Sequence, residues 1–473
     1  MSPRQCDDAS TLLVAMVTLV LVGASSLAPT AVADRDWIPP YAALQMPALP
    51  GGGGDASLAT TINHHGTVGG WADNGFDLIP SLMNNRGELT PLPLTPIAFE
   101  SRVYAVNDYD QAVGRCFFCG REGSMYWPGD GTVVQAPVAE GEFPLMFNDI
   151  SNSGLVAAVY IHSSNLIHAA TWDPATGEIT LLPDLDPDDR WAAEARSVNS
   201  SGVVAGNASL PGVTETRAVV WENAILRELP APPTGKSRFA EDISDSGFIA
   251  GEASDGNSRS KRSAAIWTPE NEIILLQDYH ENGDSKATAI NNFGVAIGLT
   301  DHNWGSLNYY VWYDWDRLPL LIDDLLPPEH QWFQITAWDI NDHNQIAARG
   351  RKHSDPWGMV LTPVTYTFDL AAAEPGRVGV ENTLRVMNAP PNTQVTLVAG
   401  TIGGGSWIPG CTSLENALQI DNPRLVQRVT TDATGSATIR GIVPANLAGR
   451  PLLLQAMIAE TCDLSNLIVQ TFE

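Results

Sequence analysis

The stretch ATAINNFGVAIG, residues 287–298, combines small and β-branched residues with a pair of asparagines and two glycines, and holds no evident chemistry. What makes it decisive is that it recurs. Aligned on Ile or Val followed by Asn or Ser, related segments read TINHHGTVGG at Asn63, AVNDYDQAVG at Asn107, DISNSGLVAA at Ser151 and SVNSSGVVAG at Asn199. DISDSGFIAG at Ser244, AINNFGVAIG at Asn291 and DINDHNQIAA at Asn341 complete the set, at spacings of 44, 44, 48, 45, 47 and 50 residues. A period of this size predicts a repeat architecture whose units bury their faces against their neighbours.

Each unit reads as four short strands. Three residues after the Asn or Ser stands Gly66, Asp110, Gly154, Gly202, Gly247, Gly294 or Asn344, residue types that accept the left-handed backbone of a tight turn. Four residues further stands Gly70, Gly114, Ala158, Gly206, Gly251, Gly298 or Ala348, which predicts close packing against the second strand. A third strand ends in Trp127, Trp172, Trp221, Trp267 or Trp312, and turns such as DPATGE lead to a fourth strand such as ITLLPDL. Four antiparallel strands per unit describe a β-propeller blade. The seventh unit lacks its fourth strand, and YAALQMPALPGG, before the first motif, supplies a matching one. The expected fold is therefore all-β: a seven-bladed β-propeller of four-stranded antiparallel blades closed by an N-terminal strand, followed by a small β-sandwich domain.

The pattern A-x-x-I-N-x-x-G-x-V-x-G … A-x-x-W … D-L resembles the bacterial extracellular HAF-repeat family over residues 41–364. That resemblance implies an exported protein and a propeller fold, and transfers no catalytic residue. The first unit departs from it, with DLIPSLMNNRGEL where the second to sixth units carry Trp. The segments PGRVGVENTLRVMNAPPNTQVTLVAG, TTDATGSATIRGIVP and RPLLLQAMIAETCDLSNLIVQTF alternate and turn like a β-sandwich, similar to modules appended to secreted bacterial proteins. The expected boundaries are a signal peptide at 1–33, the propeller at 34–366 and the C-terminal domain at 367–473.

The leader reading rests on Arg4, an apolar run over residues 11–22 and the small residues AVAD, where cleavage after Ala33 fits an A-x-A site. An uncleaved anchor is the other reading, because the apolar run nearly reaches spanning length. No later segment is long and apolar enough to cross a membrane. A net charge of -28 disfavours nucleic acid as a partner and suits a soluble protein outside the cell. Location is expected to be extracellular, at the cell surface or periplasmic, and the chain a monomer.

Of the five cysteines, Cys411 and Cys462 predict one disulfide in an oxidising compartment, and Cys116 with Cys119 a local one or two free thiols. Ring closure would bring His64, His65 and His343 together beside Asp342, a weak metal candidate built from turn residues. Positive charge gathers between the second and third strands, at Arg115, Arg121 and Arg217, at Arg259, Lys261 and Arg262, and at Arg349, Arg351 and Lys352. These make an anion-docking face or are neutralised by nearby carboxylates such as Asp184, Asp323 and Asp324. In DLDPDD, Asp184, Asp186 and Asp188 alternate without the glycine of an EF-hand, which leaves an irregular calcium site open as the one cofactor. Motifs for a nucleophile elbow, a zinc protease or a P-loop are missing. The leading functional reading is a non-enzymatic scaffold for an extracellular macromolecule or glycan. The alternative is a polysaccharide hydrolase or lyase acting from the loop-rich face.

Overall fold

The computed structural model describes residues 39–50, 56–95, 100–117, 123–137, 144–161, 167–185, 192–210, 215–233, 238–254, 262–279, 283–302, 306–353, 355–408, 410–411, 414 and 416–473. The leader, Cys119, Arg121, Arg259, Lys261, Asp186 and Asp188 lie outside the described residues. Residues 39–473 form one compact unit. Among the described residues there is no α-helix, and no helix is long and apolar enough to cross a membrane.

The fold is a β-propeller-like repeat. Among the described residues, the motif region forms seven four-stranded antiparallel sheets. Their first strands are Ser57–Ile62, Glu100–Val106, Met146–Ile150, Ala193–Val198, Arg238–Ile243, Ser285–Ile290 and Trp332–Ile340. Each motif is the hairpin between first and second strands, and its turn residue has the expected positive φ, +80° at Gly66 and +56° at Asp110. The seventh sheet takes its outer strand from Tyr41–Gln45, which pairs antiparallel with Asp355–Pro363, Tyr41 opposite Pro363 and Gln45 opposite Met359. Pairing of the two ends of the region makes Asp355–Pro363 an interior strand of its sheet.

In four sheets a third-strand tryptophan holds the sheet to the chain segment before it. Trp127, Trp221, Trp267 and Trp312 are fully buried. Their indole N–H groups donate to the carbonyls of Pro93, Pro183, Pro230 and Gln277, at 2.8, 2.6, 2.8 and 2.8 Å. Each ring thus fills apolar space while its one polar atom keeps a partner. Trp172 instead stacks on Phe147, with ring centroids 4.9 Å apart. In the first sheet the position opposite Val68 is held by buried Met83, so that sheet keeps four strands without the tryptophan.

The glycines of the second strands have a cause inside their own sheet. In all seven sheets the first strand carries one extra residue, a β-bulge, as between Ala59 and Thr61 or between Ala287 and Ala289. In the five sheets that carry glycine at this level, the first-strand carbonyl before the bulge residue pair lies against it, whereas the other two carry Ala158 and Ala348. A Cβ on Gly70 would stand 1.8 Å from the Leu58 oxygen, and one on Gly298 would stand 1.9 Å from the Lys286 oxygen.

Beyond Val364, the strands Asp369–Leu370, Glu381–Met387 and Ala437–Ile442 form one sheet. Arg424–Thr430, Gln394–Gly400 and Pro451–Ile458 build a second, extended by Asp463–Leu464 and Ile468–Thr471. Val386, Leu397, Ile439, Leu454 and Phe472 share one apolar core. Cys411 and Cys462 are joined by a disulfide, with Cα atoms 5.7 Å apart. A hairpin of Gly403–Trp407 and Ala417–Ile420 packs Ile408, Leu418 and Ile420 into one cluster with Leu44 and Met46. Gln419 Nε2 donates to the Tyr41 carbonyl at 3.2 Å, and Lys352 pairs with Asp421. The C-terminal region is thereby fixed to the seventh sheet.

Candidate functional site

First strands line a central space, and three successive levels of side chains face it. At the turn end, the motif asparagine has two tasks. Its Oδ1 closes its own turn, as Asn291 accepts the Phe293 and Val295 N–H groups, both at 3.0 Å. Its Nδ2 reaches the equivalent carbonyl of the next sheet: Asn63 to Asn107 at 2.9 Å, Asn107 to Ser151 at 2.9 Å, Asn199 to Ser244 at 3.3 Å and Asn291 to Asn341 at 3.1 Å. Asn341 donates to the Asn63 carbonyl at 2.9 Å, joining the seventh sheet to the first. Sequence reading used these residues only to align the repeats and missed the link between sheets. Its signal was present: an amide, which can accept and donate together, recurs at this position in five of the seven motifs.

The following position makes a second set of links. The His64 N–H donates to Asp108 Oδ1 at 2.9 Å, Asp108 N–H to Asn152 at 2.8 Å, Ser200 N–H to Asp245 at 2.6 Å and Asn292 N–H to Asp342 at 2.9 Å. The weak metal candidates do meet here. His64 Nδ1 stands 3.4 Å from Asp342 Oδ2, and the His64 ring lies 4.8 Å from His343 and 5.6 Å from His65. Among the described residues no group of three His, Cys, Asp or Glu side chains is arranged to hold a metal ion. The Asp342 carboxylate is also the acceptor of the Asn292 amide.

Two residues before the motif Asn or Ser, three aspartates from alternate sheets form a neck: Asp149, Asp242 and Asp339. Each accepts its own following N–H and that of the next sheet. Asp149 takes Ile150 and Val198, Asp242 takes Ile243 and Ile290, and Asp339 takes Ile340 and Ile62, at 2.8 to 2.9 Å. Ser197 Oγ stands 2.7 Å from Asp149 Oδ2 and 2.9 Å from Asp242 Oδ1. One hydroxyl proton cannot serve two carboxylates, so the second contact is favourable only when a carboxyl is protonated. The electrostatics agree. Burial first, then the charges of Asp339 and Asp149, push Asp242 up to about 7. Burial raises Asp339 to about 6 against the donors that pull it down, and raises Asp149 in the same direction.

The neck divides two cavities. A turn-side chamber of 390 Å³ holds the two sets of links described above. On the other side, a chamber of 450 Å³ is lined by the bulge residues, Thr60, Tyr104, Asn148, Arg196, Glu241, Thr288 and Trp338, one from each sheet. Glu241 is held by Arg196 Nη2 at 2.6 Å and Lys286 Nζ at 2.7 Å. Arg115 donates to Asn148 Oδ1 at 2.6 Å and lies 5.1 Å from the Tyr104 ring centroid. Trp338 is 46% exposed. None of the bulge residues was singled out from the sequence, because one extra residue in a strand leaves motif spacing unchanged.

The described cationic candidates lie in strands rather than in the expected loops. Arg262 opens the strand Arg262–Trp267 and pairs with Glu252 at 2.7 Å. Arg349, Arg351 and Lys352 belong to Ile346–Lys352. Burial, with Arg351 and Arg102 nearby, lowers the Arg349 pKa, while Lys352 pairs with Asp421 of the C-terminal region. Arg217 pairs with Glu215 at 2.8 Å. Arg262, Arg217 and Lys352 are thus paired with Glu252, Glu215 and Asp421 rather than with the expected Asp184, Asp323 and Asp324. Cys116 is buried in Ala112–Phe117; its expected partner, Cys119, lies outside the described residues.

No protein-family model matches the chain, and no curated protein does either. Among solved structures, it is similar to PorZ, a surface component of the type-IX secretion system of Porphyromonas gingivalis, at 11% identity and a TM-score of 0.42. That likeness covers 90% of this chain and 61% of PorZ, so the chain spans about three-fifths of its length. It is also similar to a virginiamycin B lyase from Staphylococcus aureus (13% identity, TM-score 0.41) and to a streptogramin B lyase (11%, 0.40). Each of these covers 68% of this chain and 98% of the other. Likeness at this level assigns no activity.

Proposed function

We propose that the chain is an exported, non-enzymatic binding scaffold: a seven-bladed propeller of the HAF-repeat kind, closed by its N-terminal strand and followed by a β-sandwich over residues 367–473. It acts as a monomer outside the cell or at its surface, on a glycan or other macromolecule and not on nucleic acid. The observation that carries this reading is the use of the axial carboxylates. Asp149, Asp242 and Asp339 each join two sheets through backbone N–H groups, so their orientation is fixed by the fold. What they leave is a rigid, polar chamber with an aromatic wall, suited to holding a ligand in one pose. Closure of the ring is supported by the Asn341 to Asn63 bond.

A second reading, a polysaccharide hydrolase or lyase, is favoured by one feature: Asp242, pushed up to about 7, borders both chambers. A glycan array probed with residues 34–473 separates the two when the retained glycans are then assayed for new reducing ends and unsaturated products. The scaffold reading expects retention without product. Product release that is lost in Asp242→Asn would overturn it.

A further inference from the structure

The two C-terminal sheets leave a cleft between them. Arg424–Thr430 and Ala437–Ile442 are consecutive strands joined by a tight turn, in which the Gly435 N–H donates to the Asp432 carbonyl at 3.1 Å. They nevertheless belong to different sheets, and each is the edge of its own. The cavity between them is lined by the ends far from that turn, Arg424 and Val426 on one strand and Arg440 and Ile442 on the other, and has a volume of 640 Å³. Its floor is the apolar core of the region, where Leu384, Leu397, Ile439, Leu454 and Phe472 are all buried. At the rim Val426 and Ile442 are 51% and 65% exposed. Asn382 is the one buried polar residue among the described lining, and its side chain is fully committed. Its Oδ1 accepts the Gly376 and Arg377 N–H groups, and its Nδ2 donates to the Arg377 and Val380 carbonyls.

We infer that this cleft binds a free fatty acid, an aliphatic chain ending in a carboxylate. The inference concerns a different region from the scaffold reading and stands apart from it. Close-packed interiors hold few voids larger than a water molecule, so an apolar space of this size is a site and not a packing fault. Its volume falls in the range of roughly 300–1,000 Å³ typical of small-ligand sites. A floor without available polar groups suits a chain that has none, whereas a peptide strand would carry N–H and C=O groups into it unpaired. The mouth suits the other end of the molecule. Two guanidinium groups and one carboxylate, Asp421, line it, and Lys352 already holds that carboxylate. Arg440 Nη1 lies 3.8 Å from Glu381, a pair open to solvent and therefore weak. Among the described residues no carboxylate pairs with Arg424, whose planar fork matches a carboxylate head.

The test is a calorimetric titration of residues 34–473 with hexanoate, octanoate and decanoate, all below micelle-forming concentrations, and with decanol. The expected result is saturable binding that tightens by about two- to fourfold for each added methylene. Decanol should bind about two- to fivefold more weakly than decanoate, and Arg424→Gln should remove that gap. Ala399→Phe fills the cleft from the strand Gln394–Gly400, and Ile442→Asp places a charge on its exposed rim. Each should weaken decanoate binding by roughly tenfold or more while the unfolding temperature is kept. Phe293→Ala, an exposed aromatic of the repeat region, should leave it unchanged. Absence of saturable binding, affinity indifferent to chain length, decanol as tight as decanoate, or decanoate binding that survives both cleft variants each overturns the inference. Dimers dissolved by Ile442→Asp, without uptake of decanoate, would overturn it in favour of a second copy of the chain. Retention on phosphatidylglycerol vesicles without uptake of decanoate would overturn it in favour of a membrane surface.

Discussion

Two positions three residues apart on the same strand behave in opposite ways. At the motif position, Asn63, Asn107, Asn199, Asn291 and Asn341 repeat one amide that closes a turn and reaches the next sheet. At the bulge position, the seven sheets carry Thr, Tyr, Asn, Arg, Glu, Thr and Trp. The difference teaches where constraint lies. Bulge residues also reach the next sheet, Thr60 Oγ1 to the Val103 carbonyl at 2.7 Å and Asn148 Nδ2 to the Ala195 carbonyl at 2.6 Å, so the contrast is one of identity: one amide recurs at the motif, whereas six residue types fill the bulge.

The comparison can be strained most at the repeated side. Trp221→Ala removes a fully buried ring and its bond to Pro183, and should cost about 3–5 kcal/mol in chemical denaturation. A loss below about 1 kcal/mol would show that the tryptophan straps do not hold the sheets. Gly70→Ala attacks the bulge from its partner strand, where the new Cβ meets the Leu58 carbonyl at 1.8 Å, and should cost about 1–3 kcal/mol. Stability equal to wild type would mean the bulge relaxes freely.

The neck, between the two positions, should show itself in pH dependence. The folded pKa values of Asp242 and Asp339, about 7 and about 6, lie above the ordinary 3.8. The folded chain therefore holds protons that the unfolded chain has lost, so the contribution is full below about pH 4 and is lost as pH rises through 6 to 7. The unfolding temperature of Asp242→Asn should fall less than that of wild type between pH 5 and pH 8. A parallel fall would remove Asp242 from this account. The smallest effect belongs to the bulge itself: Thr288→Val should change stability by about 0.5 kcal/mol or less, because its hydroxyl makes only a long 3.4 Å contact to Ile297.

Much of the architecture was legible because it is written in periodic positions. The turn at Gly294, the close approach at Gly298 and the outer strand from Tyr41 all follow from spacing and residue type. The tryptophan of the first unit was not needed, since Met83 fills the same place. The candidate site was legible only in part. His64, His343 and Asp342 could be brought together by assuming ring closure, whereas the neck residues Asp149, Asp242 and Asp339 open three of the quoted motifs, a recurrence the sequence carried and the reading passed over. The bulges left one trace. Ala287, Ala289 and Ile290 are all buried, a break in the two-residue alternation of a strand that an extra residue explains. Partners such as Asp421 for Lys352 depend on how the C-terminal hairpin packs, which no pattern within the repeat encodes.

The central claim is that the repeated asparagine builds the axis while the bulge residue is free to specialise. Its most direct test is side-by-side denaturation of Asn341→Ala and Trp338→Ala, three residues apart where one strand meets its turn. Asn341 accepts the His343 and Gln345 N–H groups and donates to the Asn63 carbonyl. Its loss should cost about 2–4 kcal/mol by orphaning backbone groups, against about 1 kcal/mol or less for the half-exposed Trp338. Equal losses, or a greater loss at Trp338, would contradict the account.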